Sequence, residues 1–201
     1  MKILRKFQFN LINQESKVRQ KPKYITMLSA SPTKPETIAI VISKLNLAPD
    51  CIFCDIGCGT GAVSIAASKF AGGIYAIDIR EEAVREAERN FRDAGISDRV
   101  TLIHDEASGA IARLPEIDCA FVGGTKNIED VLRRLCTRLR GRVVANAARI
   151  ETAARIIMCM KSLGIFEEAL HLQVSKGYEL AGETAFKPAN PVYIMVGDAG
   201  K

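Results

Sequence analysis

Asp55-Ile56-Gly57-Cys58-Gly59-Thr60-Gly61 is the stretch of this chain whose residue types and spacing promise chemistry. Three glycines at alternate positions let a backbone pass close to a ligand and turn its N–H groups toward it. Gly57, Gly59 and Ala62 also satisfy the looser dinucleotide pattern G-x-G-x-x-G/A, and Asp78 follows Gly57 by 21 residues, the spacing of a ribose-binding acid. Spacing alone leaves NAD and S-adenosylmethionine both open.

Asp55 separates the two. A dinucleotide would bring phosphate charge beside a carboxylate two residues before the first glycine, and like charges 4 Å apart cost about 4 kcal/mol at an effective dielectric near 20. S-adenosylmethionine brings an ammonium and a sulfonium instead, so an acid there favours it. The competing reading is an Asp turned away to cap the next helix.

Asp78 is placed to accept the two ribose hydroxyls, with an N-cap for the following helix as the alternative. Glu106 and Ala107 fall where an adenine edge would lie, although Glu106 also suits a cap. Gly123 and Gly124 fall beside the expected meeting point of methyl donor and substrate, where a plain turn would explain them almost as well.

These residues need a frame, and the hydrophobic pattern supplies one. Apolar runs read as strands over 51–56, 74–78, 100–104, 117–122 and 142–147, with helical periodicity over 62–70, 81–91, 107–113, 128–139 and 150–163 between and after them. A further helix over the residues after Thr33 opens on Pro35 and Glu36, with Thr33 as its cap. Five strand–helix alternations imply right-handed crossovers and a doubly wound, mostly parallel sheet. Residues 168–175 and 192–196 lack a helix between them and are expected as an antiparallel edge hairpin, making seven strands. Residues 1–30 form a polar, basic N-terminal arm, and 31–201 the single domain.

The chain has 201 residues with 28 Lys+Arg and 23 Asp+Glu, a net charge of +5. That suits a polyanionic small molecule and is too mild to imply nucleic acid. No apolar stretch reaches membrane-spanning length and no secretory signal opens the sequence, so the expected address is the cytoplasm with no membrane partner. Six cysteines fit buried small hydrophobes better than disulfides or a metal. In particular, Cys51 and Cys54 point to opposite faces of one strand and cannot share an ion.

In order along the chain, D-I-G-C-G-T-G, Y-A-I-D and the closing antiparallel strands resemble the class I S-adenosylmethionine-dependent methyltransferases. Pro32-Thr33-Lys34, Asp118 to Gly124, Asn146-Ala147, Ile150-Glu151-Thr152 and Asn190-Pro191-Val192 narrow this to the decarboxylating precorrin methyltransferases of corrin-ring synthesis, the CbiT type that acts on cobalt-precorrin-6B. The resemblance covers residues 31–197. It implies methylation of the meso carbon between rings C and D, coupled to loss of carbon dioxide from the ring C acetate, and a homotetramer. It implies cofactor contacts at Thr33, Gly57, Cys58, Gly59, Thr60, Gly61, Asp78 and Ala107. The chain departs from the family at Thr125-Lys126-Asn127, where glycines are common, and at Asp105-Glu106-Ala107, where Gly-Asp-Ala is common.

A tetrapyrrole with many carboxylates calls for basic residues at the open end of the sheet. Lys126 and Arg149 lead, because both follow carboxyl ends of predicted strands; Lys34 and Lys176 are further candidates. Asn146 and Glu151 are candidates to orient the substrate, and no residue is singled out to assist decarboxylation. The rival readings are a class I methyltransferase acting on RNA or protein, and a non-catalytic protein that binds S-adenosylmethionine. Against RNA stand the aromatic content of 6% and the lack of Trp, which leave few stacking platforms.

Overall fold

A computed structural model describes residues 33–124 and 126–200. The N-terminal arm assigned to 1–30 lies outside the described residues. Helix α1 (Pro35–Leu45) leads into strand β1 (Ile52–Ile56), followed by α2 (Ala62–Ala67), β2 (Gly73–Asp78), α3 (Glu81–Asp93), β3 (Val100–His104), α4 (Ala107–Arg113), β4 (Cys119–Val122), α5 (Ile128–Cys136), β5 (Arg142–Ala147) and α6 (Ile150–Ser162). Four more strands close the described chain: β6 (Phe166–Leu172), β7 (Ser175–Leu180), β8 (Glu183–Pro188) and β9 (Val192–Asp198).

The main sheet runs β3-β2-β1-β4-β5-β9-β6, with the first five parallel and β9 antiparallel to both of its neighbours. Central strands of a sheet covered on both sides must be apolar on both faces. That is why Phe53, Cys54 and Ile56, and Cys119 through Val122, are all buried. Cys54, Ile77, Val122 and Ala145 pack with Ile111, Leu132 and Ile156 from α4, α5 and α6. On the other face Phe53, Phe121 and Val144 meet Val41 and Leu45 of α1 and Val63 of α2, while Ala87 and Phe91 of α3 cover Ala76. Cys51 and Cys54 do lie on opposite faces.

Three expectations are corrected. The cap of α1 is Lys34 rather than Thr33: a residue before proline is pushed into extended backbone, so the helix starts at Pro35 and Lys34 takes the cap position with no side-chain bond. The predicted loop after β6 contains a two-stranded sheet of its own, β7 with β8. The helices over 62–70 and 128–139 are shorter than their apolar patterns, ending at Ala67 and Cys136.

Candidate active site

Parallel strands deliver their carboxyl ends to one edge of the sheet, and the predicted site residues gather there. Asp55 and the glycine loop follow from β1, Asp78 ends β2, Glu106 and Ala107 follow β3, Gly123 follows β4, and Asn146 and Arg149 sit at the end of β5. Thr33 and Lys34 precede α1, which packs across β4, β5 and β9 on the same face as Phe53. A cleft of about 550 Å³ bordered by Leu47, Phe70 and Arg99 lies at the opposite, amino-terminal end of the strands.

The glycine loop is closed on itself and on β2. Gly57 and Cys58 both donate their N–H groups to Ile77 O, at 2.8 and 2.9 Å; Gly61 N donates to Cys58 O at 2.9 Å. Gly59 N donates to Asp78 Oδ2 at 2.9 Å, and Asn90 Nδ2 holds Thr60 O at 2.8 Å. Four of the loop's N–H groups therefore already have protein acceptors. A pyrophosphate needs those donors, so the loop is shaped to pass beside a ligand rather than to cradle phosphate.

Glycine at 57 is required by contact as much as by conformation. Its φ is +72°, and a Cβ there would meet Gly124 O at 2.8 Å. A Cβ on Gly123 would meet Gly57 O at 2.9 Å. The loops after β1 and β4 thus touch backbone to backbone, which explains the Gly123-Gly124 pair before any ligand is invoked.

Asp55 is fully buried. Its Oδ2 accepts from Ser64 N at 3.0 Å and from Ser64 Oγ at 2.6 Å, tying β1 to α2. Its Oδ1 has no partner. The carboxylate thus does the capping named as its alternative role and keeps one bare, buried oxygen. Burial pushes its pKa up to about 6, with the Ser64 bonds opposing and the nearby Asp78 charge adding. Asp78 behaves in the opposite way: burial alone would raise it, but the Arg80 guanidinium and the main-chain donors of Arg80 and Gly59 hold it below the usual carboxylate value.

Glu106 caps α4, its Oε2 accepting from Gly109 N at 3.0 Å, and Ala107 opens that helix. Cys58 is buried in the loop, and that burial raises its thiol far above the ordinary value. Lys126, Arg149 and Glu151 are exposed. Asn146 is half-buried on β5, with an Oδ1 that lacks a partner. Lys176 is joined to Glu36 Oε1 at 3.0 Å, linking the start of β7 to α1, while Glu36 Oε2 stays buried and bare. His104 ends β3, its Nε2 3.1 Å from Ile79 O.

Sequence reasoning passed over three residues at this edge. Ile79 leaves its apolar side chain 63% exposed directly after Asp78. Arg80 lies on the Asp78 carboxylate, and Glu36, in the first turn of α1, keeps a buried oxygen without a partner. An apolar residue standing between a strand-end acid and a charged helix was a readable signal for Ile79. Nothing in spacing distinguished Arg80 from the other arginines around it.

A family model for the precorrin methyltransferase domain matches residues 29–197. A protein of Methanosarcina acetivorans with the name "Probable cobalt-precorrin-6B C(15)-methyltransferase (decarboxylating)" is 50% identical over 177 residues, covering 86% of this chain and 96% of that one. The crystal structure of precorrin 8W decarboxylase from Methanobacterium thermoautotrophicum aligns with a TM-score of 0.80 at 29% identity, over 83% of this chain and 91% of the other. A precorrin-6Y C5,15-methyltransferase from Geobacter metallireducens aligns at 0.77 and 30% identity, over 83% and 90%.

Proposed function

Because the chain belongs to the precorrin methyltransferase family, we propose that it methylates the meso carbon between rings C and D of a cobalt-precorrin and removes the ring C acetate carboxyl as carbon dioxide. S-adenosylmethionine, as the donor, supplies a methyl group on a positively charged sulfur. The observation that carries this choice of donor is the self-closed glycine loop, whose N–H groups are spent on protein acceptors, Asp78 among them, and leave few for phosphate.

The position of each residue supports the part given to it. Asp78 accepts the ribose hydroxyls, and exposed Ile79 offers an apolar platform to the adenine, with Glu106 and Ala107 at its edge. The bare Oδ1 of Asp55 is the charge complement for the donor's ammonium, and Thr33 and the run Gly57 to Gly61 line the amino-acid portion. Gly123, without a side chain, lets the macrocycle approach the methyl group. Lys126, Arg149 and Lys34 bind peripheral carboxylates, and Asn146 and Glu151 orient the ring.

Breaking the bond from the acetate methylene to its carboxylate releases carbon dioxide and leaves an electron pair in the conjugated ring. The meso carbon donates that density to the methyl carbon, and the sulfur leaves with the old bond's pair. Such a displacement depends on alignment more than on acid–base help, and alignment alone supplies about 7–11 kcal/mol in well-oriented cases.

The same reading makes residues 31–201 the catalytic domain and residues 1–30 an N-terminal arm, and makes the protein a cytoplasmic homotetramer. Exposed Tyr178, Leu180 and Phe186 on the β7–β8 hairpin support assembly, and light scattering on the purified protein measures it. No described helix is long and apolar enough to cross a membrane.

The decisive assay supplies purified protein with cobalt-precorrin-6B and methyl-labelled S-adenosylmethionine. One label incorporated per carbon dioxide released supports the proposal. Donor binding without transfer would leave only a binding protein, and transfer to RNA alone would replace the substrate.

A further inference from the structure

A carboxylate accepts about four hydrogen bonds, and the protein itself makes four to Asp78. Oδ1 accepts from Arg80 N at 2.9 Å and from Arg80 Nε at 3.1 Å. Oδ2 accepts from Gly59 N at 2.9 Å and from Arg80 Nη2 at 3.0 Å. A ribose could reach this carboxylate only by replacing some of these donors.

Two of the four are fixed. Gly59 N belongs to the closed glycine loop, and Arg80 N to the turn that begins α3. The other two come from the guanidinium, which is free to leave: the Arg80 side chain is 46% exposed, against 3% for Asp78. Its Nε and Nη2 form a planar fork that places one donor on each carboxylate oxygen. A vicinal diol presents the same pattern, two O–H donors side by side. The fork also borders the glycine loop, since a Cβ on Gly59 would stand 3.8 Å from Arg80 Nη2.

We propose that Arg80 is a placeholder for the ribose diol, bound to both Asp78 oxygens in the free protein and displaced when the nucleoside enters. This rests on the reading of Asp78 as ribose acceptor. The exchange balances, with two N–H donors leaving and two O–H donors arriving, so no buried acceptor is left bare at either end. In the free protein the guanidinium keeps the carboxylate ionised and aimed. Against the ligand it acts as an internal competitor that weakens methyl donor and demethylated product alike, which favours product release.

The test is calorimetric titration of S-adenosylhomocysteine at pH 8 into the wild-type protein and into Arg80→Met, which keeps an unbranched stem and removes the fork. The variant should bind about fivefold more tightly, the scale of a half-exposed ion pair. Arg80→Lys, charged but without the fork, should fall between the two. In the wild-type protein the assigned Arg80 Nε–H resonance should move to the position of a solvent-exposed arginine on saturation; this readout needs no variant to fold. Equal or weaker binding by Arg80→Met, or an Nε–H signal unmoved by saturating ligand, overturns the proposal while leaving Asp78 as the ribose acceptor. Failure of wild-type protein to bind S-adenosylhomocysteine removes the donor reading and the placeholder together.

Discussion

Ser64 gives two hydrogen bonds to one oxygen of Asp55, from its main-chain N at 3.0 Å and its hydroxyl at 2.6 Å, and leaves the second oxygen bare inside the protein. One residue therefore holds β1 to α2 and keeps an unmatched acceptor beside the glycine loop. Such an acceptor costs stability when no ligand answers it.

The first consequence is a pH dependence of folding. Burial raises the folded pKa of Asp55 to about 6 from an ordinary 3.8. The folded state thus holds this proton more tightly than the unfolded chain does. The stabilisation is complete below about pH 4 and is lost as pH rises through 6, a change on the order of 3 kcal/mol. Asp78 slopes the other way, losing stability only as acid protonates it below its ordinary range. Urea unfolding between pH 4.5 and 7.5 should show stability falling with pH, and Asp55→Asn should flatten that fall.

Ligand binding should reverse the preference at the same oxygen. An ammonium placed against Asp55 favours the ionised form, so S-adenosylhomocysteine should release a proton as it binds near pH 6 and bind more tightly as pH rises through that value. Calorimetry in buffers of different ionisation enthalpy counts the proton. No release, or release unchanged in Asp55→Asn, removes Asp55 from the ammonium site.

Gly123→Ala tests the contact between the two loops. The added Cβ would lie 2.9 Å from Gly57 O and 3.1 Å from the Phe121 ring. Overpacking of this kind costs roughly 1–3 kcal/mol. Thermal unfolding should fall by several degrees, and methyl transfer should fall further than stability alone explains, because the glycine loop is displaced. An unchanged melting temperature would mean that the loops are not held together there.

Arg149→Ala and Lys126→Ala should raise KM for the macrocycle several-fold, with S-adenosylhomocysteine affinity held, and should lessen the salt dependence of KM. Steady-state kinetics at two ionic strengths measures both. A change confined to kcat would assign these residues another role.

Much of the frame was legible because buried parallel strands must be apolar on both faces, so 51–56 and 142–147 stand out between charged helices. The β7–β8 hairpin was not. Its residues are almost all exposed, as Lys176, Glu179, Glu183 and Lys187 suggest, so no buried face imposes alternation. Its turn is Ala181-Gly182, with φ of 52° and 84°. That geometry usually carries Asn-Gly, and alanine gave no signal of it. At the candidate site, spacing singled out Asp55, Asp78 and the glycines and left Asp55 and Glu106 open between ligand contact and helix cap; it could not tell that both do make cap bonds, nor that Arg80 folds back onto Asp78. Those are three-dimensional contacts between groups whose types alone permit several partners.

The most direct measurement is the binding of S-adenosylhomocysteine and of NAD to the wild-type protein and to Asp78→Ala. A methyl-donor site at the glycine loop predicts S-adenosylhomocysteine binding that weakens roughly 10- to 100-fold in Asp78→Ala, with NAD bound by neither. Preferred binding of NAD, or S-adenosylhomocysteine affinity indifferent to Asp78, would contradict it.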